Sequence, residues 1–326
     1  MSRIAFLMDP LASLALKKDS TLAMIKAAQQ RELEVFYFEQ KDLMLSEGKI
    51  LARLQRIRLT DQFLATMLSP KPDTAWCDLD DPIVCPLSDM DIVMMRKDPP
   101  FDMQYIYTTY LLEQAEREGT QVINRPRSLR DCNEKLFATQ FPQCCPPLVV
   151  SQSKEVLKAF HDKHENVVLK KLDGMGGASI FRVMAGDPNL TVIIETLTDG
   201  ELVPIMAQTY LPEIVDGDKR ILLIDGEPIP YALARIPSAG ETRGNLAAGG
   251  RGEGRPLTDR DRWIAEQIGP ELRQRGLAFV GIDVIGDYLT EINVTCPTCV
   301  RELDHQFELD IAGDLIEYAL TIAAAK

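Results

Sequence analysis

Residues 279–295 read FVGIDVIGDYLTEINVT and carry the clearest architectural signal in the chain. Ile282 and Val284 alternate with Asp283, and Ile292 and Val294 alternate with Glu291 and Asn293. Side chains two positions apart in a strand share a face, so each run has one apolar and one oxygen-bearing side. A one-residue slip inverts every side chain, so burying both apolar sets together requires an odd connecting loop. The spacing therefore predicts a hairpin with a three- or five-residue loop, with Asp283, Glu291 and Asn293 projecting from one face. Two carboxylates and an amide oxygen are hard ligands, suited to Mg²⁺ or Mn²⁺ shared with phosphate oxygens. The pattern also fits a solvated polar face on an amphipathic hairpin, although asparagine is depleted in strands.

A second stretch, Asp173-Gly-Met-Gly-Gly-Ala-Ser179, sits between two apolar runs, ENVVLKK and IFRV. A dinucleotide fingerprint fails because Ser179 stands where its third glycine belongs and a strand pattern follows instead of a helix. A P-loop fails because no Gly-Lys-Ser/Thr follows. Two readings stay open: a plain tight hairpin, or a flap whose backbone N–H groups lie over phosphates. Lys170, just before the turn, is placed to reach a phosphate as a point charge.

The amino-terminal part alternates strand and helix patterns and predicts a three-layer α/β domain over residues 1–125. RIAFLM, EVFYFE, DIVMM and QVIN read as strands; helices are expected from Asp19 to about Arg31 and from about Gln104 to Gly119. Residues 71–90, rich in proline and aspartate, read as loop. Asp131 and Glu134 have capping-box spacing before Lys135. Ser153 and Thr258 are expected to start helices, the second with a kink at Pro270. His161 and His164 read as surface residues of the first.

Net charge is −13 over 326 residues, which excludes a general nucleic-acid binder with its basic footprint. No apolar run approaches the ~18 residues of a membrane span, and the apolar start of the chain is too short for a signal peptide. A cytoplasmic protein is the expectation. Seven cysteines do not suggest a disulfide framework, and Cys296-Pro-Thr-Cys299 lacks the second pair of a zinc site. Residues 241–254, ETRGNLAAGGRGEG, hold five glycines and two arginines and fit no regular element.

Lys135, Lys170, the glycine turn, Gln208-Thr-Tyr-Leu211 and the D…E-x-N hairpin, in that order, resemble the ATP-grasp superfamily. Met8-Asp-Pro10, Lys17-Lys-Asp-Ser20, MRKDPPFD (95–102), SLRDCNEKLF (128–137), DGDKR (216–220) and LTEINVTCPTC sharpen this to the prokaryotic glutathione synthetase family. That resemblance implies an α/β protein of ATP-grasp fold behind its three-layer amino-terminal domain. A central lid, 126–207, and a catalytic domain, 208–326, would follow, with a mobile loop at 236–255. It implies ligation of γ-glutamylcysteine to glycine, with ATP as co-substrate and Mg²⁺ or Mn²⁺ as cofactor, in a homotetramer. By the same resemblance Lys135, Lys170, Gly174, Gly176, Gly177, Gln208, Tyr210, Leu211 and Asp218 would bind ATP. Asp283, Glu291 and Asn293 would hold metal; Arg220, Arg235 and Arg243 would face the reacting carboxylate and phosphate. Lys18, Ser20, Arg96 and Arg301 would contact the dipeptide. Lys171 replaces a proline usual in relatives and Cys296 a serine, the latter implying oxidation sensitivity near the site. A related peptide ligase, such as a D-alanine–D-alanine ligase, is the nearest alternative within the superfamily. A non-catalytic ATP-binding regulator is an alternative from another class.

Overall fold

The computed structural model describes residues 2–67, 75–238, 244 and 249–325. Three sheets organise them, and each follows from its own hydrophobic pattern. In the first, the strands Arg3–Leu7, Glu34–Phe38, Ile92–Met95 and Gln121–Ile123 run parallel. Their continuous apolar runs suit strands covered on both faces. Ile4 and Phe6 pack under the helix Ser20–Gln30, whereas Ala5 and Leu7 face the helix Met103–Arg117, giving three layers. Asp19 caps the first of these helices, accepting from Leu22 N at 3.0 Å.

The expectation of a loop at 71–90 is corrected where it can be examined. Cys77–Leu79 and Ile83–Pro86 are short strands that pair with the long strand Lys49–Leu59. Proline and aspartate there mark edge strands, which tolerate a missing donor, rather than the absence of a strand. Residues 71–74 lie outside the described residues.

The second sheet is antiparallel, in the order Ile180–Met184, Asn166–Lys171, Ile205–Thr209, Leu148–Ser151. The helices Lys154–His164 and Leu190–Leu197 cover one face around a core that includes Leu157, Leu169 and Ile194. Ser153 caps the first helix as expected. His161 is not a surface residue: it is 4% exposed, and its Nε2 lies 3.1 Å from Met184 O.

The third sheet is also antiparallel, in the order Arg251–Pro256, Glu227–Ile236, Asp218–Ile224, Phe279–Ile285, Tyr288–Asn293. Behind it the helix Asp259–Arg275 begins with a capping box of Thr258 and Asp261 and continues through Pro270. Residues 251–255, expected within a mobile loop, form its edge strand, with Arg251 opposite Ile236. Arg243 lies outside the described residues. At Gly244 a side chain would collide with the carbonyl of Arg235, so this position runs tight against the sheet.

The hairpin parity argument holds, but its device differs. Ile285 faces Tyr288 across a two-residue Gly286-Asp287 turn, not a three- or five-residue loop. The odd residue is Thr290, a β-bulge between the pairs Val284–Leu289 and Asp283–Glu291. Thr290 Oγ1 donates to Asp283 O at 3.1 Å, closing the bulge. Asp283 and Glu291 thus sit directly opposite each other while Ile282, Val284 and Ile292 stay buried.

The first and third sheets are tied by Asn124. Its Nδ2 donates to Phe279 O at 2.7 Å and Val294 O at 2.8 Å, and its Oδ1 accepts from Phe279 N at 2.8 Å. Among the described residues no helix is long and apolar enough to cross a membrane. Asn124→Ala leaves buried backbone groups of both hairpin strands without partners and is expected to lower unfolding free energy by about 2–4 kcal/mol. Urea denaturation measures this; a loss below about 0.5 kcal/mol would contradict the tie, being what ordinary surface substitutions give.

Candidate functional site

Two cavities meet at the hairpin. One, of about 850 Å³, runs between the second and third sheets and is lined by Lys135, Lys170, Gln208, Tyr210, Leu211 and Asp218 among others. The other, of about 1720 Å³, opens toward the first sheet and is lined by Lys18, Ser20, Arg96, Arg220, Arg235 and Asn293 among others. Gly174, Gly176, Asp283 and Glu291 line both. A ligand in each would therefore meet its neighbour at this seam.

Local sequence explains the position of each group. The strands Asn166–Lys171 and Ile180–Met184 pair with Lys170 opposite Ile180, so the glycine turn closes a hairpin, the geometry common to both readings of it. Gly176 and Gly177 have φ of 61° and 81°, conformations that favour glycine. Lys135 begins inside the helix Glu134–Ala138, where its Nζ donates to Gly174 O at 2.6 Å and lies 3.4 Å from Glu291 Oε1. Lys170 Nζ reaches the same oxygen at 3.7 Å. Burial holds the Lys170 amine below its ordinary pKa, against the opposing pull of Glu291.

The expected capping box before Lys135 is absent. Asn133 caps that helix instead, accepting from Lys135 N and Leu136 N. Glu134 is turned toward the hairpin, accepting from Val294 N at 3.2 Å and Thr295 Oγ1 at 2.8 Å. Burial raises its carboxyl pKa. Neither this role nor the Thr290 bulge has a local sequence signal, because both depend on distant partners.

Asp283 is held by two buried arginines. Arg220 donates from Nε at 2.5 Å and from NH2 at 3.1 Å, and Arg235 NH2 lies 2.9 Å from Asp283 Oδ2. The same Arg235 nitrogen contacts Asp218 Oδ2 at 2.5 Å. Two carboxylates sharing one guanidinium split their titrations. Asp283 lies below the usual carboxylate range: burial opposes the shift, and its two arginines overcome it. Asp218 is pushed up to about 7 by burial and by the Asp283 charge, against the pull of Arg235.

Several buried polar atoms facing these cavities lack partners: Gln208 Oε1, Asp218 Oδ1, Asn293 Nδ2 and Ser20 Oγ. Such atoms are costly unless a ligand completes them. Gln208 Oε1 suits an N–H donor such as the exocyclic amine of a purine. Tyr210 and Leu211 follow it, and the Arg182 guanidinium stacks 3.7 Å from the Tyr210 ring centre. In the second cavity Arg96 donates to Thr21 Oγ1 and Pro297 O, at 3.2 and 2.9 Å. Arg301 is not in it. Its guanidinium donates to Leu16 O and Met67 O on the far side of its helix, so it braces the segment carrying Lys18. Cys296 is half-buried where it lines the second cavity, and desolvation pushes its thiol up to about 12. That keeps it protonated and works against the expected oxidation sensitivity. All seven cysteines are free.

Glu291 and Asn293 fit a hard divalent ion. The carboxylate's lysine contacts are longer than hydrogen bonds, and Asn293 would offer its amide oxygen, the unpartnered Nδ2 being left for an acceptor such as a phosphate oxygen. Asp283 has both oxygens engaged by arginine and fits through its remaining lone pairs. Among the described residues no group of three acidic, histidine or cysteine side chains could hold a metal alone. Ligands from phosphate and water would have to complete the shell, which is usual for Mg²⁺.

The family model "Prokaryotic glutathione synthetase, ATP-grasp domain" matches residues 134–308, and its N-terminal counterpart matches residues 2–130. "Glutathione synthetase" of Pseudomonas putida is 59% identical over 315 residues, covering 97% of this chain and 96% of the relative. That of Escherichia coli K12 is 53% identical over 317 residues, covering 97% of each. Among solved structures, D-cycloserine synthetase DcsG superposes with a TM-score of 0.65 at 14% identity, covering 99% of each chain. The ATP-grasp ligase PsnB, complexed with minimal precursor, Mg and ADP, gives 0.60 at 16%, covering 99% of this chain and 98% of that one. These distant likenesses show the ATP-grasp fold.

A pH test follows from the carboxylate pair. Folded Asp218 releases its proton near pH 7, whereas an unfolded aspartate does so near 4. Between these values the folded state holds the extra proton, so this group's contribution to stability falls as pH rises toward 7. Asp218→Asn is expected to remove that slope. Urea midpoints of both proteins between pH 5 and 8 check it; parallel pH dependences would contradict the assignment.

Proposed function

The chain belongs to the prokaryotic glutathione synthetase family, and on that premise we propose how its residues join γ-glutamylcysteine to glycine at the cost of ATP. It is an ATP-dependent carboxylate–amine ligase. The observation that carries the mechanism is the seam: two adjoining cavities share Asp283, Glu291, Gly174 and Gly176.

A carboxylate resists attack by an amine because its leaving group would be oxide. Phosphorylation changes that. A cysteinyl carboxylate oxygen of the dipeptide attacks the γ-phosphorus, the bond to the β-bridging oxygen breaks, and ADP departs. Glycine's amine then attacks the acyl carbon, the C–O bond to phosphate breaks, and the ammonium proton is lost to solvent. Phosphoryl transfer depends chiefly on positioning and charge neutralisation. Lys135 and Lys170 hold the phosphates from the lid side while Gln208, Tyr210 and Leu211 hold the base. The amides of Gly174, Gly176 and Gly177 close over the polyphosphate. Arg220 and Arg235 orient the reacting carboxylate from opposite strands, with Asp218 and Asp283 fixing their forks.

A divalent ion, Mg²⁺ or Mn²⁺, held by Asp283, Glu291 and Asn293, would offset phosphate charge when bound. The acyl phosphate must be shielded from water. That role falls to the flap, with Arg243 facing the reacting carboxylate and phosphate. Residues 1–125 with Lys18, Ser20 and Arg96 supply the dipeptide, 126–207 the lid and 208–326 the catalytic sheet. Family resemblance supports extending this reading to a cytoplasmic homotetramer.

Purified protein with ATP, Mg²⁺, γ-glutamylcysteine and glycine is expected to release phosphate only when all four are present; release that ignores the dipeptide would refute the substrate. Glu291→Gln is expected to lower kcat by at least ~10²–10³-fold, as loss of a key electrostatic group does. Loss of the shared partner of two buried lysines should also lower its thermal midpoint; unchanged turnover in the folded variant would refute the role of Glu291.

A further inference from the structure

The peptide cavity extends well past the reaction seam to a wall built from the segment 13–21 and the helix Val300–Phe307. With the reacting carboxylate at Arg220 and Arg235, the rest of γ-glutamylcysteine would extend into this cavity, toward the wall. Its far end is an amino-acid head, with an α-ammonium and an α-carboxylate. It needs one anionic and one cationic receiver.

Five carboxylates line the cavity away from the seam, and four are otherwise employed. Asp19 caps a helix through Leu22 N. Asp9 accepts from Asp98 N at 2.9 Å and pairs with Lys97 at 2.8 Å. Glu134 accepts from Val294 N and Thr295. Asp98 is exposed to solvent, unlike the buried acceptor the ammonium needs. Glu302 is different: its Oε2 is closed off from solvent and has no partner. Ser20, only 2% exposed, presents a second unpartnered oxygen to the same cavity.

We propose that Glu302, with Ser20 beside it, receives the α-ammonium of the γ-glutamyl head, while Lys18 receives the α-carboxylate. Glu302 lies in the first turn of its helix, and the Arg301 bonds to Leu16 O and Met67 O lock that helix to the segment bearing Lys18. The two receivers are therefore held in a fixed relation. Burial raises the Glu302 carboxyl, while a hydrogen bond from its own backbone N–H and the charges of Arg301 and Lys18 lower it, leaving Oε2 as the unpartnered oxygen. An ammonium ligand would favour its charged form further. Selection for the α-amino group is the consequence: the enzyme should refuse a dipeptide that differs only in lacking it. A buried acceptor left unpaired is a strong means of such refusal.

The inference rests on the ligase reading above, and one kinetic comparison separates their failures. The parent protein and Glu302→Gln are assayed with ATP, Mg²⁺ and glycine against γ-glutamylcysteine and its deamino analogue, glutarylcysteine. In the parent, KM for the analogue is expected about 10- to 100-fold above that for γ-glutamylcysteine, the worth of a charged hydrogen bond. In Glu302→Gln, KM for γ-glutamylcysteine should rise by a similar factor, with KM for ATP unchanged and the two dipeptides no longer distinguished. Equal use of both dipeptides by the parent would overturn the proposal without recourse to any variant. So would full discrimination retained by Glu302→Gln. Absence of turnover with γ-glutamylcysteine in the parent would overturn the ligase reading itself, and the inference with it.

Discussion

Asp283 held between the guanidinium groups of Arg220 and Arg235 is the contact around which the site is arranged. All three are buried, on three neighbouring strands of one sheet. Removing ions from water is expensive, and breaking such a group by deleting one partner costs about 3–5 kcal/mol because a charge is left uncompensated. A sheet that needed only stability would fill these positions with apolar side chains. Keeping two arginines here makes sense if they must present charge to a ligand without reorganising when it arrives. Asp283 keeps them in place at the edge of the cavities.

The same logic extends to the lid. Lys135 and Lys170 converge on Glu291 at 3.4 and 3.7 Å, distances at which attraction persists without a tight hydrogen bond. Glu291 thus stands in for the anionic groups that phosphates would bring. Nucleotide binding would exchange one set of negative partners for another, so closing requires no burial of unpaired lysines. The small core of the second sheet is separate from the two larger cores.

Much of this was legible in residue order. The oxygen-bearing face of the hairpin, the flap, Lys170 at its base and the helix caps at Ser153 and Thr258 follow from periodicity and local chemistry. The failures share a cause. The parity of Asp283 and Glu291 demanded an odd residue, but pattern could not distinguish a longer loop from the bulge at Thr290. Glu134 had the spacing of a local cap, yet its oxygen went to Thr295, and Asn133 took the cap. His161 appeared polar in sequence, but a backbone carbonyl from the neighbouring strand let it be buried. Arg301 stands close to the substrate blocks in sequence, while helix rotation turns it away and aims Glu302 inward. Each miss depends on a partner far along the chain, which a single sequence does not display.

The central claim is that the dipeptide's carboxylate is itself phosphorylated at the Asp283–Glu291 seam. Its most direct test is to follow ¹⁸O from the cysteinyl carboxylate of γ-glutamylcysteine during turnover with ATP and glycine. Activation by phosphoryl transfer predicts one labelled oxygen in the phosphate released for each peptide bond formed. Phosphate free of label, with glutathione still produced, would contradict it.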